Sequence, residues 1–252
     1  MKKMLYFLIA ILVLHLNQAC ASSLGVWPIN PRIDAPASAT MVWVKNNSKT
    51  EPVTLQARVF LWRQVDNKDQ LLPQDELVIS PPIVEVKADT QQTFRIINRQ
   101  GPIQNIHEES YRLLIDEIPS EEKIPNSILR FQMRYSLPLF VGLPKNLANL
   151  DITERLKTMA SGLSYRVIQN PQPFLEVHNK NMIHARLSNV SIIGQENTEK
   201  PLVISDGLLG YVLPNSVRKW PLTSEQFIAL NQKIVSLKFE QEHQELKIAS
   251  EK

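Results

Sequence analysis

The chain has 252 residues, with 28 lysines and arginines against 25 aspartates and glutamates, a formal charge of +3. So even a balance gives no support to a nucleic-acid partner, which calls for a strongly basic surface. One cysteine, Cys20, excludes an intramolecular disulfide and a cysteine-rich metal site, and the length fits one large or two ordinary domains.

Met1-Lys2-Lys3 precedes an uncharged run from Met4 to Leu16, followed by small residues at Ala19-Cys20-Ala21. A basic start, a short apolar run and an Ala-x-Ala site describe a secretory signal peptide. The apolar run is too short to span a bilayer comfortably, and no later segment is apolar enough to do so. Cleavage after Ala21 fits better than lipidation of Cys20, because Leu16-Asn17-Gln18-Ala19 matches poorly the compact apolar and small pattern of lipid-accepting sites. Cleavage there removes Lys2, Lys3 and Cys20, so core burial alone holds the remaining fold.

Strands follow. Val42 and Val44 mark one, ended by Asn46-Asn47-Ser48. Val53, Leu55, Ala57, Val59 and Leu61 alternate with Thr54, Gln56, Arg58, Phe60 and Trp62, the period of two that a β-strand imposes. Phe94 and Ile96 mark another, and Tyr111, Leu113 and Ile115 a further one. Prolines, including Pro28, Pro52, Pro81-Pro82, Pro119 and Pro125, fall at or near the ends of these runs, where a missing N–H is tolerated. Short strands at such spacing predict a β-sandwich.

The most informative segment is Ile128 to Val141. Leu129, Phe131, Met133, Tyr135, Leu137 and Leu139 share one face, and Arg130, Gln132, Arg134 and Ser136 the other. As one strand it would extend about 46 Å at about 3.3 Å per residue, against about 17–20 Å for a typical strand. One sandwich hardly covers that length, so part of the apolar face should project beyond its own core. A long apolar edge is an aggregation liability unless it serves strand addition to a partner. Alternation alone does not separate that role from an ordinary core strand.

Gly142-Leu143-Pro144-Lys145-Asn146 interrupts the pattern and predicts a domain boundary. The expected division is residues 1–21 signal peptide, 22–142 first domain and 143–252 second domain. Beyond it come a short helix over Ile152–Met159 and strands near 165–168, 174–177, 185–193, 210–213 and 234–239. The last eight or so residues are polar and are expected to fray.

In this order the residues resemble a known family. Asn30-Pro31-Arg32-Ile33, Pro81-Pro82 before a strand, Tyr111-Arg112-Leu113-Leu114-Ile115-Asp116-Glu117-Ile118-Pro119 and the alternating run after Asn126 resemble periplasmic pilus-assembly chaperones of the chaperone–usher pathway. Gly207-Leu208-Leu209-Gly210-Tyr211-Val212-Leu213-Pro214 with Arg218-Lys219-Trp220-Pro221-Leu222 resembles the archaic branch, serving spore-coat-like pili. The resemblance implies an all-β chain of two immunoglobulin-like domains set at an angle about a cleft. It implies no enzyme activity, no cofactor, a periplasmic location, and pilus subunits and an outer-membrane usher as partners. It further implies donor-strand complementation, with Leu129, Phe131, Met133, Tyr135 and Leu137 filling the groove of an incomplete subunit.

The family also anchors the subunit's C-terminal carboxylate with a basic pair in the cleft. Arg32 matches the first member, and a guanidinium can grip a carboxylate with two parallel hydrogen bonds. The second, a lysine near the end of the long strand, falls here at Ser136 or Pro138, so Arg134 or Arg95 is the expected substitute. Glu109 lies near the family's interdomain acid but with one residue too few before Glu117-Ile118-Pro119. The arginine that usually answers it is replaced by Val141-Gly142, so no such salt bridge is expected.

Two other function classes fit the sequence less well. For an enzyme, no Gly-x-Ser-x-Gly elbow, phosphate loop or His-Glu-x-x-His occurs. His178 and His184 are too far apart on a strand to meet one metal, and Glu176 adds no third ligand. A small-molecule substrate has no motif to bind it. A structural pilus subunit or adhesin would more often carry a cysteine pair and an alternating apolar tail at its mature N-terminus, whereas Ser22 to Ile33 reads as a proline-broken first strand.

Overall fold

The computed structural model describes residues 24–104, 107–119, 132–169, 171–193, 201–231 and 236–250. The signal peptide, Cys20 and the stretch Ile128–Phe131 lie outside these residues.

The first part of the chain is built from β1 (Leu24–Trp27), β2 (Arg32–Ile33), β3 (Ala39–Asn46), β4 (Val53–Val65), β5 (Lys68–Leu72), β6 (Leu77–Ser80), β7 (Ile83–Val86), β8 (Gln91–Asn98), β9 (Glu109–Ile118) and β10 (Arg134–Val141). They form two sheets, β1-β3-β8-β6 and β2-β10-β9-β4-β5, with β7 also on β4. Alternation drives the packing. Val42, Val44, Phe94 and Ile96 face inward from one sheet and meet Leu55, Ala57, Leu113, Ile115, Leu137 and Leu139 from the other, all buried.

The second part begins with two helices, α1 (Lys145–Ala148) and α2 (Ile152–Ser161). Asp151 caps α2, its side chain accepting from Glu154 N at 2.9 Å, which satisfies one orphan donor of the first turn. The remaining elements are β11 (Leu163–Gln169), β12 (Pro173–Asn179), β13 (Ala185–Ile193), β14 (Leu202–Val212), β15 (Ser216–Pro221), α3 (Ser224–Asn231), β16 (Ser236–Gln241) and β17 (Gln244–Ser250). Their sheet runs β14-β13-β16-β17-β11-β12-β15 and curls until its end strands meet, Trp220 Nε1 donating to Leu209 O at 3.2 Å. The chain is thus all-β, two immunoglobulin-like sandwiches in tandem, each with its own core.

The first core ends at Val141 and the second starts at Leu143. Gly142 between them has φ +86, and a Cβ there would lie 2.6 Å from His107 O. Glycine is required on both counts.

One expectation needs correction. The C-terminal stretch is not frayed through residue 250: β17 lies between β16 and β11, antiparallel to one and parallel to the other. Its alternation is short but sufficient, since Leu246 and Ile248 reach the second core. Of the long run, β10 begins at Arg134 within the described residues, and Met133 before it still accepts a backbone hydrogen bond from Glu117 N at 3.1 Å. Ile248→Ala should cost about 2–4 kcal/mol in urea unfolding. A frayed tail would leave the midpoint unchanged.

Candidate functional site

The candidate site is the open side of β10 and the domain junction behind it. One side of β10 is fully paired with β9, from Arg134↔Asp116 to Val141↔Glu109. The other meets only β2, at Phe140↔Arg32 and Val141↔Ile33. Among the described residues, Arg134 to Leu139 therefore has a free backbone edge.

The side chains of this strand divide along its length. Leu137, Leu139 and Val141 belong to the core of their own domain. Tyr135 is half-buried, and its hydroxyl donates to Leu24 O at 3.1 Å across the mouth of the sandwich. Met133 is 43% exposed. The apolar face thus leaves its own core between Tyr135 and Met133. Leu137 is a correction to the expected donor set, because its own core already holds it. Leu129 and Phe131 lie outside the described residues.

The junction forms where the other face of this sheet meets the second domain. Trp62 and Phe140 point away from the first core, yet each is only 1% exposed, because Leu213 and Tyr211 cover them. The hairpin of β4 and β5 reaches farther. Gln64 Nε2 donates to Tyr211 O at 3.0 Å, and its Oε1 accepts from Leu213 N at 3.0 Å. Asn67 at the tip makes the same double contact with the backbone of Lys219. The glycine-rich motif of the second domain is therefore used at the interface, through Tyr211 and Leu213.

At the centre lies Glu108, whose side chain is fully buried. Its Oε1 accepts from the backbone N and the Nδ1 of His184, both at 2.8 Å, and its Oε2 accepts from Arg32 Nη1 at 3.0 Å. Burial pushes its pKa up, but the His184 ring and the Arg32 guanidinium outweigh that and hold it below the ordinary carboxylate range. His184 also stacks flat on Phe140, with ring centroids 3.5 Å apart and planes 2° from parallel. The interdomain acid is thus Glu108, one residue before the expected Glu109, which pairs instead with Arg63 and His107. The short spacing was the signal for this; the choice of histidine as partner had none.

The basic residues singled out from the sequence do not converge. Arg32 is committed, with its guanidinium on Asp34 at 3.0 and 3.1 Å, on Glu108, and on Gly142 O at 3.3 Å. Arg134 is about 20 Å away along β10 and pairs with Asp116, as does Arg58 at 2.7 Å. Arg95 is on the other sheet, pointing outward between the buried Phe94 and Ile96.

A fourth arginine was missed. Arg112 sits level with Pro138 on β10, its guanidinium 3.7 Å from the Trp62 ring centroid and 5.7 Å from that of Tyr211. It makes no salt bridge or hydrogen bond among the described residues; burial pushes its pKa down, with the charge of nearby Asp69 partly opposing that. Trp62 Nε1 is also buried without an acceptor. Two neighbouring donors thus stand without a hydrogen-bond acceptor among the described residues, beside an open strand edge.

Glu176 is a separate cluster on the outside of the second domain. Arg166, His178 and Lys219 surround it, and with burial opposing them they draw its pKa down to about 2. This is a structural ion cluster, and among the described residues no group of acids and histidines is arranged to hold a metal.

Residues 32–148 match the family described as pili and flagellar-assembly chaperone, PapD N-terminal domain. The first part of the chain is thus similar to the N-terminal domain of these assembly chaperones. A probable fimbrial chaperone, SfmC of Escherichia coli strain K12, is 23% identical over 206 residues, which cover 79% of this chain and 86% of that protein. Among solved structures, a chain of the CsuC–CsuE chaperone–tip adhesion subunit complex from the archaic Csu pili of Acinetobacter baumannii is 28% identical. It superposes with a TM-score of 0.68 over 92% of this chain and all of that one. A chain of the Salmonella enterica SafA pilin–SafB chaperone complex shares the fold, with a TM-score of 0.59, 15% identity, and coverage of 91% and 97%.

Because its native pKa is lowered, Glu108 contributes stability above about pH 4.3 that is lost as pH falls through the native value. Glu108→Gln should cost about 2 kcal/mol at neutral pH. In urea titrations its deficit against the wild type should shrink as pH is lowered below about 4.3; a constant deficit would show that the charge is not what matters.

Proposed function

We propose that this protein is a periplasmic chaperone that captures pilus subunits by strand addition to β10 and delivers them to an outer-membrane usher. The observation that carries the reading is the free edge from Arg134 to Leu139, whose apolar face emerges from its own core at Met133. A subunit lacking its last strand exposes apolar core and unpaired backbone groups, both costly in water. The free edge supplies backbone partners, and Met133 with the preceding Phe131 and Leu129 supplies the side chains. Tyr135 stands at the boundary. Each such side chain is worth about 1.5–3 kcal/mol when fully buried, enough in combination to hold a complex without covalent chemistry.

The subunit's C-terminal carboxylate docks on Arg112, which takes the role expected of Arg32, Arg134 or Arg95. Arg112 makes no salt bridge or hydrogen bond among the described residues, leans on the Trp62 and Tyr211 rings, and lies beside the free edge. Arg32 is spent on Asp34 and Glu108. Residues 1–21 direct the chain to the periplasm as a cleaved signal peptide, leaving domains over 22–142 and 143–252. No catalytic step or cofactor enters the mechanism. The pilin or adhesin reading is less favoured, since the family match and the similar proteins named above point to chaperones.

Two experiments test this. Met133→Glu should abolish recovery of a co-expressed pilus subunit from periplasm while leaving the chaperone's melting temperature unchanged; normal subunit yield would overturn the donor assignment. For the anchor, the probe is a synthetic strand peptide of alternating valine and threonine with a free C-terminal carboxylate. Arg112→Gln should weaken its binding by about tenfold or more, and amidating the peptide should produce the same loss without adding to it. Additive losses would place the carboxylate elsewhere.

A further inference from the structure

Alternate residues of β10 serve its two edges. On the β9 side Met133 O accepts from Glu117 N at 3.1 Å, and on the β2 side Phe140 N donates to Pro31 O at 3.2 Å and Gly142 N to Ile33 O at 2.8 Å. Backbone groups change sides at every residue of a strand, so Arg134, Ser136 and Pro138 turn theirs to the free edge. Pro138 has no N–H to offer. The free edge therefore presents the carbonyls of all three residues but the amides of Arg134 and Ser136 alone, and the missing donor is the one next to β2. Pro138 is buried and stands level with Arg112 on β9.

We infer that Pro138 is a specificity residue that makes the open edge accept the end of a strand rather than its middle. The inference rests on strand addition with the carboxylate on Arg112, and it adds the residue that selects for that arrangement. In either pairing direction, one carbonyl of an added strand falls opposite the nitrogen of Pro138. An internal peptide carbonyl there loses its ladder bond where the added strand itself shuts out water, which is costly. A terminal carboxylate there is met instead by the guanidinium of Arg112, level with Pro138. The strand cannot run on, because Phe140 N is already taken by Pro31 O. A proline placed only to repel strands would serve best in the open part of the edge. Pro138 stands at its closed end, while Arg134 and Ser136 keep their donors, so the ladder is stopped without the strand being refused.

The test uses the full chain and the alternating valine–threonine peptide in two forms. One ends in a free carboxylate and the other in an N-methylamide, whose last carbonyl imitates the interior of a strand. The wild type should prefer the carboxylate form by about tenfold or more. Pro138→Ala restores the N–H and should tighten binding of the N-methylamide by about fivefold, with a much smaller gain for the carboxylate form. Pro138→Val restores the same N–H with a larger side chain, so a gain shared by both variants belongs to the backbone donor. A gain in only one of them traces to packing and overturns the inference. Unchanged N-methylamide affinity in both variants overturns it too, as does an equal gain for the two peptides, and strand addition stands in each of these cases. If the wild type binds neither peptide, the strand-addition reading itself fails and this inference falls with it.

Discussion

A single buried carboxylate organises this molecule. Glu108 lies where two β-sandwiches meet, its side chain fully buried, and it is tolerable because three donors from two domains converge on it. That requirement fixes where His184 must stand and therefore where the second domain sits. The aromatic cluster of Trp62, Phe140 and Tyr211 then closes the remaining gap, and the amides of Gln64 and Asn67 satisfy backbone groups that the interface would otherwise strand.

The consequence for β10 is an asymmetry along one strand. Its C-terminal half is held by its own core, by β2 and by the junction. Its N-terminal half keeps one edge open, with Tyr135 tethered to Leu24 O and Met133 out in solvent. An open edge is usually blunted by charge or proline. Here Arg134 and Ser136 line the exposed side, but Arg134 is drawn back onto Asp116, so its charge guards the edge weakly. Such an edge is suited to a partner that needs a strand.

The arginines divide by what each one faces. Arg32, Arg58 and Arg134 each face a carboxylate, and their charges are already answered. Arg112 leans instead on two aromatic faces, an interaction that holds a cation in place without neutralising it. Residue type and position in a motif do not distinguish these cases; the inventory of neighbours does.

Much of the fold was legible in the sequence because alternation reports directly on which side of a sheet is buried. Val53 to Leu61 and Tyr111 to Ile115 carry that period, and both are strands with their apolar side buried. The polar last strand was misread because only Leu246 and Ile248 carry its pattern. Gly142 was legible as a break, since glycine and proline interrupt a strand through local backbone chemistry. What only the tertiary structure decided is everything that depends on the second domain covering the first. Trp62 and Phe140 lie on faces that alternation assigns to solvent, Arg32 is consumed by an acid 76 positions away, and His184 becomes its other partner. Period-two patterning encodes one sheet against its own core. It carries no information about a second surface brought in by a distant part of the chain, and in this protein that surface supplies the histidine on Glu108 and the second ring beside Arg112.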